Sequence, residues 1–281
     1  MSLFIFLPPT YIVEEIYEVK RDNAIFGSQY KGNYDEMYNA IRSKLPLEEE
    51  DVERVSESIG CKYVTILDQE YPQQLRTAIR PPFVLFYKGN LELINGSIPL
   101  LSVVGSREPS SYSSETVGKI CGDLAKKGVG IISGLAKGID TVALKSALPY
   151  GKAIAVLGTS LDSCYPLENY DLQQEIGNCG LLLSEFPPGV GPSKINFPAR
   201  NRITVGLSYS LLVGEVQRRS GTLISVTFAL NRGCDIGVLP SRATEDTYNN
   251  RLIQDGAILV NSSEDILGFF SNLVPLKKKI F

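Results

Sequence analysis

Short apolar runs recur along the chain from residue 83 onward: FVLFY (83–87), LLSVVG (100–105), VGIISG (129–134), AIAVLG (153–158), LLLSE (181–185), SLLVGEV (210–216), DIGVL (235–239) and AILV (257–260). Their length, branched side chains and terminating Gly or polar residues predict strands buried on both faces of a parallel sheet. The stretches between them, 114–127, 138–148, 168–176, 220–232 and 262–270, are amphipathic and long enough to be crossover helices. Strand and helix in alternation predict a doubly wound α/β fold. Before residue 62 the pattern changes to short helical stretches, among them an acidic one with Val52, Val55 and Ile59 at helical spacing below Glu48–Glu50, Asp51 and Glu53. The expected organisation is a small acidic helical domain (1–62), an α/β domain (63–270) and a frayed basic tail (271–281).

Composition narrows the chemistry. The 281 residues contain no histidine, which excludes Ser-His-Asp and Cys-His nucleophiles, a histidine general base and the usual catalytic zinc sites. Any catalysis would rest on carboxylates, tyrosines or cysteines. The five cysteines form no CxxC pair and an odd set, so neither a disulfide framework nor a zinc ribbon is expected, and a reducing cytoplasm fits. The opening MSLFIFLPP lacks a basic leader and is broken by Pro8 and Pro9, so it predicts neither an export signal nor a membrane anchor.

Charge changes the picture when it is divided by segment. The net charge of -3 conceals a net of -6 over residues 1–60. Residues 186–234 hold Lys194, Arg200, Arg202, Arg218, Arg219 and Arg232 against one acid, Glu215. Cations interleaved with an exposed aromatic are what a single nucleic-acid strand needs, because cations displace counterions from phosphates and a ring stacks on a base. Residues alone leave two possibilities open: Phe197 as a stacking ring among phosphate-binding arginines, or Phe197 in the core and the arginines merely solvated.

Ligands of open α/β sheets bind beyond the carboxyl ends of the strands. Three loops there resemble anion cradles. The first holds Gly105, Ser106 and Arg107; the second holds Ser133, Gly134, Lys137 and Gly138 ahead of Asp140, which equally suits helix capping. The third holds Gly158 and Thr159, with Asp162 and Tyr165 downstream. Pro198 followed by Ala199 and Arg200 suits the first turn of a helix. Glu185 and Glu215 are the acids near strand ends in this half, and Glu215 lies where it can balance Arg218 and Arg219.

Taken together, VVGSR, SGLAKGID, AVLGTSLDSCYPLEN, LLSEFPPG, NFPARNRI, GLS (206–208), SGTLI (220–224) and NRLIQDGA (250–257) resemble, in order and spacing, the DNA-processing protein A (DprA/Smf) family. The lead-in YPQQLRTAIRPPFVLFYKGNLELI (71–94) is similar as well, so the likeness spans roughly residues 63–267. It implies an extended Rossmann-like fold and a cytoplasmic, non-catalytic protein without cofactor. That protein binds single-stranded DNA, protects incoming strands and loads the RecA recombinase in natural transformation. By motif position it assigns DNA contacts to Arg107, Lys137, Lys194, Phe197, Arg200, Asn201 and Arg202, and phosphate-loop roles to Gly105, Ser106, Ser133, Gly134, Gly158 and Thr159. A homodimer contact is implied near Asn250, Leu252 and Ile253. The sequence departs from the family pattern at Leu144, where a histidine is usual, at Leu167, where a basic residue often follows Tyr-Pro, and at Ser241, where glycine is usual.

An alternative class is a nucleotide phosphoribohydrolase of the lysine-decarboxylase-like type, whose PGGxGTxxE signature places a glutamate after Gly-Thr. Gly221 and Thr222 match that Gly-Thr, but the glutamate position is Ser225 and the PGG position is Gln217-Arg218-Arg219. The hydrolytic carboxylate is replaced and positive charge is added, which favours DNA binding.

Overall fold

The computed structural model describes residues 23–47, 59–218 and 220–271; the acidic stretch 48–53, the opening segment and the basic tail lie outside these residues. A helical segment over 23–29 and α1 (Tyr34–Arg42) precede the sheet. The sheet strands are β1 (Lys62–Thr65), β2 (Val84–Gly89), β3 (Leu100–Val104), β4 (Gly130–Ser133), β5 (Ala153–Val156), β6 (Leu181–Ser184), β7 (Ser210–Val213), β8 (Asp235–Val238) and β9 (Ile258–Leu259). Between them run α2 (Gln73–Arg76), α3 (Ser111–Lys126), α4 (Ile139–Ala147), α5 (Tyr170–Cys179), α6 (Asn196–Gly206), α7 (Thr222–Arg232) and α8 (Asn249–Gln254), with α9 (Ser263–Ser271) last.

The strand order β1-β2-β6-β5-β4-β3-β7-β8-β9 is parallel from β6 to β9. It is the expected doubly wound, Rossmann-like sheet preceded by helices. The sheet is mostly parallel, as expected, with two antiparallel strands on one side. Run 83–87 pairs antiparallel with β6, and β1, which has no strong apolar run, adds a second antiparallel strand outside it. Neither needs a crossover helix, because each lies at a sheet margin. Run 257–260 yields only a two-residue strand with both side chains exposed, since β9 is an edge.

Alternation of side chains along each strand divides the core in two. Leu101, Val103, Ile131, Ala153, Ala155 and Leu182 face α3, α4, α5 and α9. Leu100, Ile132, Ile154, Val156, Leu181 and Leu183 face α2 and α6, and Leu211, Val213 and Val238 face α7. Leu144, the departure from the family's usual histidine, is fully buried in the first layer. The N-terminal helical residues share their core with the sheet through Phe26, Met37, Val84 and Phe86.

The order reverses between β3 and β7, so the loops after these strands diverge and leave a crevice above them. Gly105 closes its floor: a Cβ there would lie 2.5 Å from Ile139 Cγ1, inside contact distance. Replacing Gly105 by Ala overpacks this seam and is expected to cost about 1–3 kcal/mol of stability, read as a lower midpoint in urea unfolding.

Candidate nucleic-acid interface

The crevice is an open cavity of about 620 Å³ whose walls include Gly105–Arg107 after β3, Lys194–Asn201 around the start of α6, and Gln217 to Ser225 after β7. Helix α6 forms one wall because its other sides are buried, and the two arginines of the RNR motif do the burying. Arg200 is 6% exposed and donates from Nη1 to the carbonyls of Gly134 and Val156, joining the ends of β4 and β5. Burial pulls its pKa down from the usual arginine value, and the neighbouring Asp140 charge opposes this. Arg202, 7% exposed, makes a two-pronged pair with Glu185, Nη1 to Oε1 and Nη2 to Oε2 each at 2.6 Å, and donates from Nε to the Arg80 carbonyl at 2.9 Å. Burial works against its charge, but Glu185 outweighs burial and holds the guanidinium above its usual pKa.

Both guanidiniums are turned toward the protein, Arg202 onto Glu185 and Arg200 onto Asn201 through Nε and onto the strand ends through Nη1, while Arg200 also lines the cavity. Glu185 is likewise not free for hydrolysis. Glu215 Oε2 accepts from the Ser110 backbone N at 3.0 Å and from Ser110 Oγ at 2.8 Å, fixing the start of α3; Arg219, its expected partner with Arg218, lies outside the described residues.

The glycine loops also differ from simple anion cradles. Asp140 Oδ2 accepts the backbone N–H groups of Gly134 (3.1 Å) and Ala136 (3.3 Å), so the second loop's donors are taken by the protein's own carboxylate. Burial raises the Asp140 pKa, opposed by Arg200 and by these hydrogen bonds. Ser133 Oγ is buried and donates to the Val103 carbonyl; Thr159 is buried and donates to the carbonyls of Ser160 and Ser163. Gly134 and Gly158 serve close approach instead. A Cβ on Gly134 would lie 2.4 Å from the Arg200 guanidinium, and one on Gly158 would lie 2.6 Å from the Phe197 ring. Absence of side chains there lets α6 settle onto the strand ends.

The remaining expected residues do converge on the cavity. Arg107 and Lys194 are exposed on its walls, and neither is ion-paired among the described residues. Ser106 and Gly105 line it beside Arg107, and Asn201 lies beneath, its Oδ1 accepting from Arg200 Nε. Phe197 is half-buried and its ring lies 5.2 Å from the Tyr165 ring. Lys137 is at the margin and is held by Glu168, whose hydrogen bond raises the Lys137 pKa and lowers its own. Away from the cavity, Asn250 is tied to Ser241 through both amide atoms, which orders the Pro240-Ser241 turn, while Leu252 and Ile253 are half-buried against the β7–β8 core. The sequence did not single out the Asp140 clamp as a loop device, nor the Arg202–Glu185 pair, because nothing in spacing states which way a side chain turns.

A family model described as DNA recombination-mediator protein A matches residues 62–271. The chain belongs to that family. Its matched segment begins where β1 begins. DNA processing protein DprA of Streptococcus pneumoniae is 46% identical over 209 residues, covering 73% of each chain. DprA of Bacillus subtilis is 35% identical over 211 residues, covering 74% of this chain and 70% of the relative. Protein Smf of Escherichia coli is 42% identical, and there the match spans 53% of the relative. The solved S. pneumoniae DprA superposes with a TM-score of 0.74 at 34% identity, covering 93% of this chain and 98% of that one. DNA processing protein A of Helicobacter pylori, a structure described for its single-stranded DNA binding mode, superposes with a TM-score of 0.69 at 30% identity, covering 76% and 98%. No helix among the described residues of this DprA-family chain is long and apolar enough to cross a membrane.

The inward arginines separate folding from ligand contact in this family member. Glu185→Gln leaves the buried Arg202 charge uncompensated and is expected to cost about 3–5 kcal/mol, measured by urea unfolding; replacing the pair together by Arg202→Met and Glu185→Leu recovers most of that loss.

Proposed function

We propose that the cavity binds single-stranded DNA without catalysis, its phosphates on Arg107 and Lys194 and a base on Phe197. The observation that carries this is the meeting of two exposed cations, without ion-pair partners among the described residues, with an aromatic ring at the reversal of strand order, in a family whose H. pylori member is described as binding single strands. The groove offers charge and a stacking face but no set of donors matched to one base edge, so binding tolerates any sequence and weakens with salt. Lys137 contributes little while Glu168 holds it. Gly105 and Ser106 supply a close backbone approach beside Arg107.

The family resemblance carries further roles that belong to the same proposal: a cytoplasmic protein that protects incoming strands and passes them to the RecA recombinase during natural transformation. A homodimer would form at the β9 edge, where Ile258 and Leu259 are exposed beside α8. Within α8, Leu252 and Ile253 are the apolar contributors, and Asn250 shapes the adjacent turn rather than crossing the contact. The phosphoribohydrolase alternative is weaker, because the position its glutamate would hold is the buried Ser225 and Glu215 is engaged by Ser110.

Fluorescence anisotropy on labelled single and double strands across a salt series tests the proposal. Arg107→Ala and Lys194→Ala are each expected to weaken single-strand binding about ten- to hundred-fold, as for loss of a charge-assisted hydrogen bond, and to flatten the log K against log salt slope by about 0.7. Equal affinity for both DNA forms, or wild-type affinity in both variants, overturns it. Glu168→Gln frees Lys137 and is expected to tighten binding by up to about fivefold, with a steeper salt slope. Incubation with nucleoside monophosphates should release no base.

A further inference from the structure

Close in the chain to the two rings that line the cavity, Phe197 and Tyr165, large apolar side chains stand in water. Ile195 and Leu167 are the most exposed large apolar side chains among the described residues, at 80% and 76%. Each lies two positions from one of the two paired rings, Ile195 from Phe197 and Leu167 from Tyr165. Tyr165 is itself 46% exposed, and Tyr170 on the following helix is 53% exposed. Exposed apolar surface concentrated at one place marks a binding surface. Of these exposed residues, Tyr165 lines the same cavity as Phe197, Arg107 and Lys194.

The two rings do not leave a slot. Their centroids are 5.2 Å apart with planes at 36°, whereas a base inserted between two rings needs two contacts of about 3.5 Å each. The rings therefore form one continuous ledge. Its two halves are independently anchored. Phe197 rests on Gly158, where no Cβ intrudes. The Tyr165 segment is held from below by Asn169, whose Nδ2 donates to the Leu135 carbonyl at 2.9 Å and to Thr141 Oγ1 at 2.8 Å. An ordered aromatic surface costs little entropy when a ligand settles on it.

We propose that Tyr165 is a second base-stacking platform, and that Tyr165 with Leu167 gives the groove an apolar side for bases opposite a cationic side for phosphates. This rests on the single-stranded DNA proposal above and adds to it an occupant for a second aromatic and a consequence for Leu167. At that position the resemblance implies a basic residue in many relatives; leucine exchanges one phosphate contact for apolar contact with a base or sugar. This chain therefore takes more of its affinity from bases and less from phosphates than a relative with a cation there, and its binding is correspondingly less sensitive to salt.

The test compares a labelled oligothymidylate with a strand of the same length carrying abasic sites, on the full chain, by fluorescence anisotropy. Wild type is expected to bind the oligothymidylate more tightly. Tyr165→Ala should lose about five- to hundred-fold on oligothymidylate, the range for one stacked base, while leaving the abasic strand unchanged; Tyr165→Phe should keep wild-type affinity for both. Leu167→Lys should steepen the salt slope by about 0.7 on both strands. Equal wild-type affinity for the two strands, an equal loss on both in Tyr165→Ala, or a loss in Tyr165→Phe matching that of Tyr165→Ala overturns the platform. An unchanged slope in Leu167→Lys overturns the role assigned to that position. Absence of wild-type binding to either strand overturns the underlying DNA proposal instead.

Discussion

Arg200 of α6 lies flat over Gly134 and donates to the carbonyls that end β4 and β5. Those carbonyls sit where parallel strands stop pairing, and a buried carbonyl without a donor is costly. One guanidinium satisfies two of them and fixes α6 across the strand ends in doing so. Everything at the cavity follows from that placement: Phe197 lies one turn earlier on Gly158, Lys194 projects just before the helix, and Arg202 reaches the opposite side to meet Glu185. Asp140 completes the arrangement by holding the loop that carries Gly134.

The cations around the cavity thus fall into two groups with different physics. Arg200 and Arg202 are buried, Arg200 donating from Nε and Nη1 to amide and backbone carbonyls and Arg202 to carbonyls and the Glu185 carboxylate, where guanidinium geometry suits several acceptors at once. Arg107 and Lys194 are exposed, with no ion-pair partner among the described residues. Lys137 stands between these groups, exposed yet held by Glu168. A sum of charges over residues 186–234 counts the buried Arg200 and Arg202 together with the exposed Lys194 and leaves out Arg107 and Lys137.

Much of the fold was legible. The apolar runs match β2 to β8 closely, since a strand buried on both faces is apolar at most positions, and the doubly wound order follows from their alternation with helices. β1 was not visible, because KYVT at the margin has its first two residues exposed and needs no apolar run. The antiparallel direction of β2 was equally hidden: strand direction is set by the connection that folds back, and the segment before it carries no periodic signal. At the site, Arg107, Lys194 and Phe197 were legible as a motif and do meet at one cavity. The glycines were legible as places of close approach, but what approaches proved to be Arg200 and Phe197.

By itself, the sequence determined the layered α/β architecture, the membership of its motifs in one family and the pooling of positive charge in one segment, because these depend on local order along the chain. Only the tertiary structure decided which cations face water, which glycines make room for a side chain rather than for a ligand, and that Tyr165 meets Phe197 across 31 intervening residues. Direction of a side chain on α6 is settled by what lies beneath it, the open strand-end carbonyls on one side and Glu185 on the other. Those partners come from segments far away in sequence, so no pattern within the helix could announce them.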